Sequence, residues 1–396
     1  MRSLSPEDQF FQVFGSRPTL RVDAPGRVNL IGEHVDYLGG QVVPAAIDLR
    51  VTMLARRSEA VGREARIWTE LTGDAVTRLP LTDLERRKDP KESWMNYILG
   101  VLAGYAAREV NLPGCEVAIF SSLPTGAGLS SSAALEMATA LLVESFADVA
   151  LSVVERALIC QEAEHRYAGV PCGIMDQFAV GAGRQGHVLL MDCQALKVEP
   201  IPLPAGVAMV ISDTGVKHAL ADGEYGKRRS ECEAALARLN KASWRDVSSA
   251  EVEHKRGELG DRLSRRSRHV VSEMTRVDEF VDELRAGRSE GLAELMRSGH
   301  ESLRADFEVS CPELDVLVDA AYQFGPDHGL IGSRMTGGGF GGSTISLVRE
   351  SIASALIDHL CSRFEEAFGR RPRCFTARAS EGARAEFLTE DVSINP

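Results

Sequence analysis

The sequence predicts an α+β protein of two lobes, and three observations carry that prediction. Its 396 residues exceed what a single hydrophobic core usually organises. Both structural periods are present. Residues 41–55 alternate and are β-branched, as strands require, whereas 93–107 place Trp94, Tyr97, Ile98, Val101 and Leu102 at helical spacing. The pattern then restarts near residue 205, where a proline-bounded cluster (200–204) gives way to a strand-like run at 207–212. The lobes are therefore expected over 1–205 and 206–396.

Composition narrows the class. Apolar residues make up 44% and charged residues 26%, the balance of a soluble globular protein. A formal charge of −12 argues against non-specific nucleic-acid binding, though not against a small anion held in the local field of a pocket. No apolar run reaches the length that spans a bilayer, and the first residues enter an amphipathic pattern without a signal-peptide core, so no membrane partner is expected. The eight cysteines show no C-x-x-C pair and no zinc-like spacing. Reduced core thiols and a cytoplasmic location are the expectation, with Cys172, the one beside a motif, read as packing.

In chain order, a short helix is expected at 6–15, with Phe10, Phe11, Val13 and Phe14 on its apolar side, then a strand at 19–24. The segment Ala24-Pro25-Gly26-Arg27-Val28-Asn29-Leu30-Ile31-Gly32-Glu33-His34-Val35-Asp36-Tyr37 sets two acids, a histidine, an arginine and an asparagine around two glycines. That density of directional donors and acceptors suits a polyol. Arg27 paired with Glu33 or Asp36 as a structural ion pair, and His34 as a satisfied core histidine, are the plainer readings. Strands at 41–55 continue near Ile67, and the 93–107 helix follows.

After a strand at 117–120 comes Pro124-Thr125-Gly126-Ala127-Gly128-Leu129-Ser130-Ser131-Ser132-Ala133, which runs into a helix. A glycine loop ahead of a helix leaves backbone N–H groups unpaired and the dipole behind them, a setting for a phosphate. No Gly-Lys-Ser/Thr follows, so this is not a Walker A loop, and the third glycine of a dinucleotide fingerprint is missing. An ordinary glycine turn with a serine cap is the rival reading. Helices are expected at 129–147 and 151–168. The second ends in Gln161-Glu162-Ala163-Glu164-His165, where Glu164 is a candidate Mg²⁺ ligand or part of a solvated face.

In Gly169-Val170-Pro171-Cys172-Gly173-Ile174-Met175-Asp176-Gln177-Phe178 a lone aspartate stands between apolar residues. A charge so placed is paired or functional, and Arg27 is the obvious partner. Strands are expected at 178–182, 187–192 and 196–201, and a largely helical, charge-rich stretch without separate chemistry at 246–307. Tyr225 to Arg229 fall near a helix start; Ser310 is read as the N-cap of a helix with Pro312 and Glu313 in its first turn. Gly337-Gly338-Gly339-Phe340-Gly341-Gly342 lies between strand-like runs and reads as a tight loop, with a linker as the composition-only alternative. A helix at 351–367 and a strand at 375–379 finish the pattern.

Taken together, these motifs resemble the galactokinases of the GHMP kinase superfamily. Gly26 to Tyr37 is similar to the galactokinase signature, except that Val35 replaces a usual threonine and Leu38-Gly39 a usual polar pair. The 124–133 loop resembles the ATP-binding motif, 169–178 the segment with the catalytic aspartate, Glu224 to Arg229 a Glu-Tyr-x-x-Arg-Arg stretch, and 335–342 the third GHMP motif. The resemblance implies a two-lobed GHMP kinase fold, with a first lobe like domain 2 of ribosomal protein S5, an α/β-sandwich second lobe and the active site between them. It implies that Glu33, His34, Asp36 and Tyr225 hold sugar hydroxyls. Asp176 takes the proton of the anomeric hydroxyl, and Arg27 stabilises the moving phosphoryl charge. It implies ATP phosphates on Gly126, Gly128, Ser130, Ser131 and Ser132, and Mg²⁺ on Ser131 and Glu164. An arginine beside Asp176 would weaken it as a base, so late proton transfer or an orienting role is expected. The substrates implied are galactose and ATP, handled by a monomer. A kinase for N-acetylgalactosamine or arabinose, or a sugar- and ATP-sensing regulator without turnover, are the other readings.

Overall fold

The computed structural model describes residues 4–70, 73, 75–217 and 221–389. The first half contains α1 (Pro6–Phe14), β1 (Leu20–Asn29), β2 (Gln41–Val42), β3 (Pro44–Arg57), β4 (Glu64–Thr69), β5 (Thr77–Pro80), α2 (Met95–Ala106), β6 (Cys115–Ser121), α3 (Ser131–Ala147), α4 (Val153–Ala163), α5 (Met175–Ala182), β7 (His187–Asp192) and β8 (Lys197–Pro202). It continues through β9 (Val207–Lys217), α6 (Ala221–Leu239), α7 (Ser249–His254), α8 (Arg256–Arg285), α9 (Glu290–Ser302), α10 (Pro312–Phe324), β10 (Leu330–Thr336), β11 (Gly341–Arg349), α11 (Ala353–Phe368), β12 (Arg373–Ala377) and β13 (Arg384–Phe387).

Three sheets result. The largest runs β13-β1-β3-β6-β4-β5, antiparallel except where β4 lies parallel to β6. The second runs β10-β11-β9-β12, and the third, β2-β7-β8, joins the sugar-like motif to the 187–202 hairpin. Alternation along β1, β3 and β6 sends Val22, Val28, Met53, Val117 and Ile119 into a core shared with Leu99 and Leu102 of α2 and Met137 and Leu141 of α3. A second core brings Val35, Ile174 and Phe178 against Cys232, Leu263, Phe307 and Met335, so the motif of the first 40 residues packs on elements from the last half. A third lies between α10, α11 and the four-stranded sheet, with Leu317, Leu356, Leu360 and Phe364.

Most expected elements form, and the differences have physical causes. The expected strand at 178–182 is instead the helix α5; Phe178, Ala179 and Val180 are all buried, and a five-residue apolar run does not separate a strand from a buried helix. Ser310 does not cap α10. Cys311 stands at the N-cap, and the Ser310 hydroxyl donates to Asp315 Oδ1 at 2.5 Å, a stronger acceptor than a neutral partner. Tyr225 lies within α6, which starts at Ala221. β1 extends past Ala24 to Asn29 through a register shift between Pro25 and Arg27. That bulge re-aims the strand end toward the glycine loop. β13 is not among the expected elements: its four residues, Arg384-Ala385-Glu386-Phe387, alternate, but over too short a run to mark a strand, and all four are exposed. It pairs antiparallel with β1, Leu20 opposite Phe387, and Ser380 Oγ donates to the Ile47 carbonyl at 2.8 Å.

Candidate active site

Five chain segments meet at the mouths of these sheets: the end of β1 with its following turn, the β6–α3 loop, the α4–α5 connection, α6 and the β10–β11 loop. Four of them, all but the β6–α3 loop, line a cavity of about 130 Å³, open to solvent, with Arg27, Glu33, His34, Asp36, Asp176 and Tyr225 among its walls. Every residue that the sequence assigns to the sugar or to catalysis is thus on one wall system.

Arg27 is the joint of the site. Its Nε and Nη2 donate to Asp176 Oδ1 and Oδ2, both at 2.8 Å, and its Nη1 donates to the Gly128 carbonyl at 2.7 Å. A bidentate pair of this geometry fixes the carboxylate plane, and the third bond ties it to the glycine loop. Ser130 Oγ also donates to Asp176 Oδ2. The expected ion pair of Asp176 with Arg27 is therefore formed, while the alternative pairing of Arg27 with Glu33 or Asp36 does not occur.

His34 adopts a left-handed backbone, φ 63°, uncommon for a side-chain-bearing residue. Its Nε2 lies 3.1 Å from the Gly338 carbonyl, which can only accept, so Nε2 carries the proton. Burial pushes the imidazole down to about 4 and keeps it neutral. The other nitrogen, Nδ1, then accepts from the Tyr37 hydroxyl at 3.0 Å. Through this ring the first motif touches the last. Tyr225 closes over it, 5.2 Å from the His34 ring and 5.4 Å from Tyr37.

The two acids differ in their surroundings. Asp36 meets the cavity on one side and protein on the others; desolvation and the nearby Asp176 charge raise it to about 6. It needs Gly173 beside it, because a Cβ there would sit 1.9 Å from Asp36 Oδ2. Glu33 is 1% exposed, and burial, opposed by Arg334 and reinforced by Glu273, raises it to about 7. Arg334 Nη2 stands 2.8 Å from Glu33 Oε2, yet off the direction of a hydrogen bond. Both Glu33 carboxylate oxygens thus lack a hydrogen-bond donor among the described residues. Buried oxygens of this kind call for a further hydrogen-bond donor.

At the other end, the β6–α3 loop reverses with Gly126 at φ 77° and Gly128 at φ 73°, and Ser130 at φ 55°. Glycine supplies the first two turns without a Cβ clash. Ser130 makes no cap bond to α3, its hydroxyl being engaged by Asp176. Ser343 Oγ, at the start of β11, donates to the Ala127 carbonyl at 2.7 Å, which locks the two glycine loops together.

Glu164 opens a π-turn at the end of α4 and is 6% exposed. It accepts from Gln177 Nε2 at 2.6 Å and lies 3.5 Å from Cys172 Sγ; burial, with the Asp176 charge, raises it to about 7. Of the loop serines, Ser132 is the one that lowers the Glu164 pKa, and Ser131 the one that the sequence pairs with it toward Mg²⁺. Successive residues of a helix point about 100° apart, so position along the motif does not choose between the two. No cluster of three or more His, Cys, Asp or Glu able to hold a metal exists among the described residues. One carboxylate and a hydroxyl beside a phosphate loop fit an ion shared with a nucleotide, since Mg²⁺ needs few protein ligands when phosphates supply the rest. Cys172, expected to be packing, is half-buried in the cavity wall.

Two groups escaped the sequence reading, Glu273 of α8 and Arg334 of β10, both without exposed surface. Glu273 lies in the stretch read as lacking chemistry, and nothing local marks it.

The chain matches three families along its length: "Galactokinase galactose-binding signature" at 8–57, "GHMP kinases N terminal domain" at 96–184 and "GHMP kinases C terminal" at 280–366. It is 42% identical to the galactokinase of Homo sapiens over 379 residues, 95% of this chain and 94% of that one. To the galactokinase of Chloroflexus aggregans it is 41% identical over 387 residues, 96% and 97% of the two chains. Its structure is similar to that of Lactococcus lactis galactokinase complexed with galactose, with a TM-score of 0.90 at 32% identity over 96% of this chain and 98% of that one.

Proposed function

This chain belongs to the galactokinase family of GHMP kinases, and we propose that its cleft moves the γ-phosphoryl group of ATP to the anomeric hydroxyl of α-D-galactose. The products are galactose 1-phosphate and ADP. The observation that carries the reading is the shared cavity: Glu33, His34, Asp36 and Tyr225 line the same space as the Arg27–Asp176 pair. Hydroxyl-binding groups and a proton acceptor thereby face one ligand.

Phosphoryl transfer demands alignment and charge cover more than covalent help. In the proposed reaction the anomeric oxygen forms its bond to the γ-phosphorus as the bond to the β,γ-bridging oxygen breaks. The anomeric proton passes to Asp176. Because Arg27 and Ser130 already donate to both Asp176 oxygens, the carboxylate is a restrained base, which favours proton transfer late in the step. Arg27, bound to the phosphate-loop carbonyl as well, sits where charge cover for the moving group is needed. The amides around Gly126 and Gly128 and the hydroxyls of Ser130, Ser131 and Ser132 are assigned to the ATP phosphates. Glu164 with Ser131 or Ser132 is assigned to Mg²⁺, which when bound neutralises phosphate charge.

The lobes are assigned to 1–205 and 206–396; β9 pairs with β11 and β12 alone, while β13 returns to the first sheet. A monomer is proposed, since one chain supplies the whole cavity wall. Eight free thiols support a cytoplasmic location, and among the described residues no helix is long and apolar enough to cross a membrane.

The test is ADP release with purified protein, ATP and Mg²⁺, offering galactose, glucose, N-acetylgalactosamine and arabinose in parallel. Turnover on galactose is the expected result. Turnover on another sugar alone would move the substrate, and binding without turnover would make the protein a sensor.

A further inference from the structure

The galactose reading leaves a buried charge network unexplained. Glu273 Oε1 accepts from three donors: the Gly32 amide at 2.8 Å, the Glu33 amide at 3.3 Å and Arg334 Nη2 at 2.7 Å. Its Oε2 accepts from Arg276 Nε at 2.8 Å. Arg334 Nη2 is shared with Glu33 at 2.8 Å, and the Nε and Nη1 of Arg334 have no hydrogen-bond partner among the described residues. Two carboxylates and a guanidinium, all essentially without exposed surface, are a poor stabiliser. Desolvation offsets most of the Coulomb attraction, and an apolar replacement is often as stable. The network's geometry points to a different purpose, because every contact of Glu273 toward the first motif ends on Gly32 or Glu33.

We propose that Glu273 and Arg334 are positioning residues for the sugar: from α8 and β10 they hold the Gly32–Glu33 backbone and aim the Glu33 carboxylate, its oxygens unpaired, into the cavity. The inference rests on the reading of this cavity as the galactose site. Arg334 lies three residues before the Gly337–Gly342 loop, so the same side chain reports the position of that loop to the sugar wall.

The network also sets the charge on Glu33. The titratable and charged groups around it are Arg27 from β1, its neighbour His34, Glu273, Arg276 and His269 from α8, Arg334 from β10, and His300 from α9 at the Met335 amide. His269 is pushed down to about 3 by burial and is neutral, as is His34, so neither contributes charge near pH 7. Of the rest, Glu273 makes ionisation of Glu33 harder, and Arg334 and Arg27 make it easier.

The experiment is the pH dependence of kcat/KM for galactose and for ATP in the wild type, Glu273→Gln, Arg334→Met, Arg334→Lys, Arg276→Met and Glu33→Gln. In the wild type the galactose profile is expected to have an acid limb near pH 7 that Glu33→Gln moves down to the Asp36 limb near pH 6. Glu273→Gln removes the like charge and shifts that limb to lower pH. Arg334→Met removes the cation and shifts it to higher pH, and Arg334→Lys restores part of the shift. In all three, KM for galactose rises on the order of tenfold while KM for ATP stays within about twofold. Should the buried variants fail to fold, Arg276→Met (side chain 11% exposed) decides, through a rise in galactose KM alone. Equal losses for both substrates, or limbs that stay in place, would show a merely structural role and overturn the proposal. A wild type without galactose turnover would instead overturn the reading of the cleft.

Discussion

At the proposed sugar end of the cleft, contact with the ligand is assigned to side chains, and each is held individually by its neighbours. His34 is braced by Tyr37 and the Gly338 carbonyl, Glu33 by Arg334, and Asp36 by the close approach of Gly173. At the proposed phosphate end the work is assigned to the main chain, turned at Gly126 and Gly128 through left-handed conformations. A galactose differs from its relatives by the direction of single hydroxyls, and only individually placed groups can read that. A triphosphate offers spread charge, for which a bowl of amides and a helix terminus suffice. The same cleft therefore holds one end specified residue by residue and another specified by backbone shape, with Arg27 spanning both.

That contrast can be broken by experiment. Asp176→Asn acts on both ends at once, and the largest effect is expected there: a fall in kcat of about 10²–10⁴, with galactose binding by calorimetry retained. A wild-type rate in this variant would remove Asp176 from its assigned role. Gly173→Ala strikes the sugar end alone. Its Cβ would collide with Asp36 Oδ2 at 1.9 Å. Overpacking of this kind costs about 1–3 kcal/mol, so galactose KM should rise roughly 5–150-fold and ATP KM hardly move.

Gly128→Ala strikes the other end by backbone strain. A Cβ there has room, its nearest neighbour being the Thr336 carbonyl at 3.7 Å, but φ is 73°. About 1–2 kcal/mol of left-handed strain should raise ATP KM roughly 5–30-fold and leave galactose KM unchanged. If both constants rose together, the two ends would not be separable.

The smallest effect is on stability. Glu33 is raised to about 7 from 4.5, so its contribution to folding is fully present below pH 4.5 and lost as pH rises through 7. Glu33→Gln cannot ionise; its Tm should exceed that of the wild type by a few degrees at pH 8 and match it near pH 5, at about 1 °C per kcal/mol for a chain of this length. His34 acts in the opposite sense. Lowered to about 4 from 6.5, it stays neutral while the unfolded imidazole charges, so stability is lost as pH falls from 6.5 toward 4. A Tm profile without decline on the acid side would contradict the buried state of His34.

What the sequence displays of this site follows from how far apart the partners lie. Glu33, His34 and Asp36 share one turn, so their convergence is visible as a local density of polar groups. The Arg27–Asp176 pair spans 149 residues but is legible because a lone charge among apolar neighbours demands a partner. Glu273 and Arg334 announce nothing: one sits in a helix crowded with other charges, the other beside a glycine run that draws the eye. Their meaning exists only after α8 and β10 have been laid against the first motif. The helix at 175–182 was hidden for the same kind of reason, since a short apolar run does not define the rotation about its axis.

The pairing of β13 with β1 carries a consequence for how this molecule is made. Arg384–Phe387 complete the edge of a sheet whose next strand is Leu20–Asn29, the strand that carries Arg27 near its end. During synthesis from the N-terminus, β1 leaves the ribosome with one edge bare and keeps it so until the far end of the chain arrives. Such a late, long-range closure slows folding and leaves an edge open to other chains in the meantime. The Leu20–Asp23 edge of β1 is thus finished only when residues 384–387 arrive, more than 350 residues further along the chain, whereas Arg27, opposite Ala46 of β3, does not wait for them.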